Sequence, residues 1–248
     1  MLAALAALEF LMKETKMSAR NVELSQPQPF ATLQSFTKET RDTQYPADAR
    51  SHSAASNATL YRIASIAGIG SALILLVNAA KRGGIIATTD LTQLLAPLAE
   101  VLALGLVVGL FLAFGRRAGL FGVIAFVAHF ASLASLEGIE VVINLVFSKL
   151  PMATIAELRD GPLGLLLTAS SLLFLFSALA FVISLAFGKG VSRLSLALYF
   201  IGVVPIALRA FVPEIVLDLG LVALAASIIC LSASLWVHAG ARTDSMPA

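Results

Sequence analysis

Apolar residues along this chain gather into six runs, near 62–80, 95–114, 119–140, 163–187, 194–212 and 215–237. Each run approaches or exceeds the roughly 20 residues that cross about 30 Å of hydrocarbon. In lipid a segment must satisfy its own backbone groups, so these runs are expected to be helices. The pattern predicts an all-α fold: an integral membrane bundle of six transmembrane helices over residues 59–240. The third run stays apolar as far as Phe147. That length corresponds to roughly 43 Å, too long for one upright span, so its last turns should tilt or lie in the interface. Short turns, GRRAG and GKGVSR, join the second run to the third and the fourth to the fifth. The connections near 81–94 and 148–162 are longer.

The segment before the first run reads differently. From Met17 to Asn57 it is rich in Ser, Thr, Gln, Pro and Ala and poor in large aliphatics. Such a segment buries too little apolar area to offset chain entropy, so residues 1–58 are expected to form a disordered tail. The opening MLAALAALEFLM is too short to span a bilayer, and it suits a short interfacial helix over 2–16. A signal peptide fits less well, because no Lys or Arg precedes the run, Glu9 interrupts it and no A-x-A site follows promptly. Residues 241–248 read as a short C-terminal tail.

Composition agrees with the pattern. Hydrophobic residues make up 58% of the chain and charged residues 13%, with a mean hydropathy of +0.91. A soluble domain is nearer 45–50% apolar and about 25% charged, so a water-soluble globule is excluded. Seventeen basic and 15 acidic residues give a net charge of +2, too balanced for a nucleic-acid binder. The single cysteine, Cys230, sits in an apolar run and forms no CxxC pair. Walker A, GxSxG, GxGxxG and HExxH sequences are all missing, so no cofactor is expected. The expected partner is the lipid bilayer, with a partner membrane helix or a second copy of the chain as further candidates. Arg50, Arg62, Arg116, Arg117, Lys189, Arg193 and Arg242 fall on one side of the spans, and the smaller set Lys81, Arg82, Lys149, Arg159 and Arg209 on the other. The positive-inside rule then puts both termini in the cytoplasm, with the bundle in the cell membrane.

Small residues recur at helical spacing. The second run carries Gly105 and Gly109, and the first carries Ala64, Gly68 and Ala72. Ser170, Ser177 and Ser184 recur every seven residues in the fourth run, Ser195, Gly202 and Arg209 in the fifth, and Gly220, Ser227 and Ser234 in the sixth. Stripes of this kind let helix backbones approach closely, so helix packing is their first reading and a pore lining the second. Pro205, inside the fifth run, frees the carbonyl of Ile201 and predicts a kink.

Ionisable groups inside the spans carry the functional signal: Glu100, His129, Glu137, Glu140, Arg209 and Asp218. Such groups usually face a bundle interior or a watery cavity. At 100° per residue, His129, Leu133, Leu136, Glu140 and Asn144 share one face of the third run, with Ser132 and Glu137 within about 80°. His129 falls near the midplane, and the glutamates fall toward the outer end with Glu100, Glu214, Asp218 and Arg209. Three readings compete. The stripe lines an outward-open pathway for a cation or small solute. Alternatively His129, Glu137 and Glu140 bind a metal, completed by Glu100 or Asp218. The third option is that the glutamates are interfacial and His129 bonds to a serine. Arg209 is expected to pair with Glu214, Asp218 or a glutamate of the third run.

The hairpins LAEVLALGLVVGLFLAFGRRAGLFGVIAFV and LAFVISLAFGKGVSRLSLALYFIGVV share AFG, a basic residue and a short turn into an apolar helix. With the six-span layout, this texture resembles small bacterial multi-pass membrane proteins of unknown function, over about residues 60–237. The resemblance implies an integral membrane protein and assigns no activity or site residue. The leading expectation is an outward-facing polar cavity for a small solute or cation. A structural or accessory membrane subunit follows, then an intramembrane metal-dependent enzyme.

Overall fold

The computed structural model describes residues 47–188 and 190–243, with side chains described from Asn57 to Ala241. Every regular element in this stretch is helical. In chain order they are α1 (Ala47–Arg82), α2 (Asp90–Ala113), α3 (Gly119–Val141), α4 (Met152–Asp160), α5 (Pro162–Ala186), α6 (Arg193–Ala207) and α7 (Glu214–Thr243). Five segments among the described residues are long and apolar enough to cross a membrane: Asn57–Arg82, Asp90–Ala113, Gly115–Lys149, Pro162–Ala186 and Glu214–Ala241. α6 is apolar but shorter, at 15 residues. Large apolar side chains point out of the bundle on every long helix, among them Ile63, Leu98, Ile124, Phe176 and Leu219. Water would penalise such a surface and hydrocarbon accepts it. The chain is a multi-pass membrane protein.

Residues from Ser53 onward form one compact unit. Successive helices reverse direction and close a ring. α2 packs on α3, α3 on α5, α5 on α6 and α6 on α7. α1 closes the ring against α2 and α7: a Cβ on Gly109 would strike Ala64, and one on Gly68 would strike Ser232. The turns have local causes. Gly119 takes φ +58 and lets α3 leave the GRRAG turn. Thr89 caps α2 reciprocally with Thr92, at 3.2 and 2.9 Å, and Asp90 follows in the first turn. Pro162 opens α5, where its missing N–H costs nothing.

Three boundaries differ from the sequence reading. α1 begins at Ala47, so the tail boundary placed at residue 58 falls inside a helix; residues 1–46, with the interfacial helix at 2–16, lie outside the described residues. α7 runs to Thr243, past the boundary drawn at 240. The fifth run, expected to be helical to 212, ends its helix at Ala207. Pro205 donates no hydrogen bond there, and Pro213 disfavours helix at Val212, so Leu208–Val212 form turns. The over-long third run resolves into α3, one wide turn at Val142–Val146 and a tight turn at Phe147–Lys149. Lys189 lies outside the described residues, as do the side chains of Arg50 and Arg242.

The small residues sit inside these contacts. A Cβ on Gly202 would meet Leu224 N at 2.6 Å and Gly220 O at 2.8 Å, and one on Gly220 would meet Pro205 Cγ at 2.9 Å. Ser227 Oγ donates to Ser195 O across the same seam at 2.7 Å. Gly105 is looser, with Ala67 Cβ at 3.4 Å from the corresponding position. Ser170, Ser177 and Ser184 are buried along α5.

Candidate functional site

Chain reversal brings the end of α1, the starts of α2, α5 and α7, and the ends of α3 and α6 to one end of the bundle. Most of the charge on the spans lies there. Arg82, in the last turn of α1, pairs with Glu214 and approaches Asp218 at 3.6 Å on the first turns of α7. Arg209 leaves the end of α6 and donates to Glu140 of α3 at 3.0 Å; both side chains are mostly buried. Asn144, in the wide turn one step beyond, donates to the other Glu140 oxygen at 2.7 Å and accepts from Lys81 at 3.2 Å. Two cross-helix ion pairs and an amide bridge thus tie α1, α3, α6 and α7 together. Lys149 and Asp90 also pair at 2.9 Å, but with both side chains exposed, where such contacts contribute little.

Between these groups opens a cleft of about 620 Å³. Its polar lining includes Glu100, Glu140, Arg209, Arg82, Arg159 and Glu214, with Thr168 and Ser171 from α5. Leu136, Ile139 and Ile143 of α3 and Leu167 of α5 supply apolar wall. Exposed Phe211, in the turn after α6, marks the rim. Glu100 lies ten residues into α2, about 15 Å from its start. Its Oε2 is buried without a hydrogen-bond partner, while Glu140, Glu137 and Arg209 lie within electrostatic reach. Volume and lining fall within the range of small-molecule sites, which join an apolar wall to a few fixed polar groups.

His129 belongs to a different environment. It is wholly buried where α3 meets α5 and α6. Its Nε2 lies 2.8 Å from Tyr199 Oη and its Nδ1 lies 3.3 Å from Ser177 Oγ. Ser132 Oγ lies 2.8 Å from Ser177 Oγ and donates to His129 O at 2.8 Å. Phe174 and Phe181 stack on the imidazole, with ring centroids at 5.8 and 5.0 Å. Both ring nitrogens have partners, as burial requires.

Of the residues singled out from the sequence, the fold brings Glu100, Glu140 and Arg209 to one cleft. Asp218 stands behind it on Arg82, and Glu137 is half-buried at the flank without lining it. His129 is separated from them. Among the described residues no group of three or more His, Cys, Asp and Glu side chains converges as a metal site would require. Sequence reasoning missed Arg82 as a lining group, having counted it as a loop charge. It also missed Tyr199, whose position as the partner of His129 follows from helix order. A Tyr four residues after Ser195 and three before Gly202, beside the small-residue seam, was the available signal.

At the opposite end, Arg62 stacks over Trp236 at 5.6 Å, and His238 sits between the rings of Tyr61 and Phe114 at 5.7 and 5.1 Å. An aromatic cluster with a basic partner suits the membrane interface. No family model, curated protein or solved structure matches the chain.

Proposed function

We propose that this chain is a six-span protein of the cell membrane that binds or passes a small solute or cation through the charged cleft. α6 is the sixth span, and the turn from Leu208 to Val212 completes its crossing. Both termini face the cytoplasm, so the cleft opens outward. The observation that carries this reading is the 620 Å³ cleft itself, lined by acids and arginines within an apolar bundle. Charged side chains at membrane depth are costly, and that cost is ordinarily met where they line a pathway or site. Arg209 and Arg82 are engaged by acids, whereas the Glu100 Oε2 has no bonded partner. An incoming cationic or hydrogen-bond-donating group would find its acceptor there.

The accessory-subunit reading draws less support. It needs small-residue seams free for a partner helix, and Gly109, Gly202, Gly220 and Ser227 are occupied within the bundle. The metal-enzyme reading needs His129 beside the glutamates, and its ring nitrogens are committed to Tyr199 and Ser177.

The test is ligand-induced stabilisation of the full chain in nanodiscs. The panel contains alkylamines, carboxylates and zwitterionic amino acids. We expect at least one class to raise the unfolding midpoint, and Glu100→Gln and Arg209→Gln to abolish the effect. A panel without effect on a folded protein, or an effect that survives both substitutions, would overturn the proposal.

A further inference from the structure

A second cavity adjoins the cleft and shares four wall residues with it, Glu100, Leu136, Glu140 and Ile206. Its volume is about 60 Å³. Ser71 and Asn78 of α1, Glu100 of α2, Glu140 of α3 and Tyr199 of α6 supply its polar lining. Apolar side chains supply the rest, including Leu75, Leu133, Phe174 and Leu224.

Two polar atoms of this wall lack hydrogen-bond partners. Ser71 is 1% exposed, and its Oγ makes no hydrogen bond. A serine inside a helix ordinarily satisfies its hydroxyl by bonding back to the carbonyl four residues earlier. Ser65 on the same helix does so, to Tyr61 O at 2.8 Å. Ser71 makes no such bond and lines the cavity. The second atom is Glu100 Oε2, also buried and unbonded. Asn78 shares this face of α1 but lies two helical turns from Ser71, about 10.5 Å along the axis, so it marks the far end of the cavity. Buried polar groups are seldom left unsatisfied, and two on one cavity call for a shared occupant.

The chemistry of the wall selects that occupant. Carboxylate, hydroxyl, amide and phenol oxygens are hard donors, which suit hard cations. Calcium takes six to eight oxygens, several from carboxylates, and magnesium holds on to its waters. Here Glu140 already serves Arg209 and Asn144, so one carboxylate remains uncommitted. A single positive charge balances it. The volume accommodates one small ion with one or two waters, since a water needs about 10–15 Å³ on this measure. Potassium with its larger shell fits less well.

We infer that the cavity walled by α1, α2, α3, α6 and α7 is a binding site for one monovalent cation of sodium's size, with Glu100 and Ser71 as its side-chain ligands and water completing its shell. The site does not require that the outer cleft bind a solute. It joins α1 to α2, so occupancy stabilises the bundle on its own.

The experiment uses the full chain in nanodiscs with sodium chloride alone and no solute. Unfolding midpoints are compared in sodium, potassium and choline chloride at matched ionic strength. Sodium should give a saturable rise of roughly 5–10 °C when about a hundred-fold above its Kd, and choline none. Glu100→Gln should remove the rise, and Ser71→Ala should weaken apparent affinity about tenfold or more. Lys149→Gln, remote from the cavity, should keep it. Equal midpoints in sodium and choline would overturn the inference, as a cavity holding only water or a protonated carboxyl predicts. A sodium response unchanged in Ser71→Ala would overturn it too, even if Glu100→Gln failed to fold.

Discussion

Replacing Tyr199 by Phe removes one hydroxyl from the centre of the bundle and leaves His129 Nε2 without its 2.8 Å partner. The imidazole keeps its Ser177 contact and its stacking on Phe174 and Phe181. The loss is therefore that of one buried hydrogen bond, with an orphaned nitrogen, and should destabilise the protein by about 1–2 kcal/mol. His129→Phe orphans the Tyr199 hydroxyl instead, while Ser177 retains Ser132 Oγ at 2.8 Å. It should cost a similar amount. The double substitution leaves no orphan at this contact, and paired apolar replacement of a buried hydrogen bond is close to neutral. Its cost should therefore fall clearly below the sum of the two single variants. The coupling energy should be near 1 kcal/mol, within the roughly 0.6–1.7 kcal/mol found for helix–helix hydrogen bonds in membranes. The assay is a double-mutant cycle by reversible unfolding in mixed micelles. Additive costs, within about 0.3 kcal/mol, would refute the pairing of these two side chains and with it the sealed site around His129.

Other substitutions probe other parts of the account. Gly202→Ala forces a Cβ against the Leu224 amide and the Gly220 carbonyl, backbone atoms that cannot swing away, and should destabilise by about 1–3 kcal/mol in the same unfolding assay. Gly105→Ala meets only Ala67 Cβ at 3.4 Å and should fall within about 0.5 kcal/mol of the parent. Arg209→Gln strips Glu140 of its cation in a mostly buried setting and should lower stability by about 1–3 kcal/mol, with Arg209→Gln/Glu140→Gln recovering part of the loss. Lys149→Gln breaks an exposed pair and should change stability by less than about 0.5 kcal/mol.

The spans were legible because their signal is one-dimensional. Twenty apolar residues in lipid admit a helix and little else, so α1, α2, α3, α5 and α7 follow from hydropathy alone. The polar stripe on α3 was legible for a similar reason, since one helix fixes its own faces. Its direction inward and the pairing of Arg209 with a glutamate of this helix agree with the geometry. What the stripe means was not legible. His129 and Glu140 share a face, yet three turns along the axis separate them, and each meets a different neighbour. His129 meets Tyr199 and Ser177, while Glu140 meets Arg209 and Asn144. Those neighbours depend on the order of helices around the ring, which no single-helix period encodes. Arg82 illustrates the same limit: a charge beside a span reads as a loop charge until α7 is known to stand next to α1. The end of α6 was misjudged because hydropathy continues through Ala210, Phe211 and Val212 after the prolines have ended the helix.

The central claim is that a water-filled charged cleft enters this bundle at the end formed by the start of α5, the start of α7 and the end of α3. Two neighbouring positions on α5 test it. Ser171 lines the cleft, and Ser170 is buried in the helix contact. Both lie about 14 Å into the helix, beyond the reach of water on any lipid-facing surface. Ser171→Cys and Ser170→Cys, each in a Cys230→Ser background, would be exposed in whole cells to a charged, membrane-impermeant thiol reagent. The account predicts labelling at 171 and protection at 170. Protection at both positions would contradict a water-filled cleft open to the outside, and labelling at both would contradict the packed bundle around it.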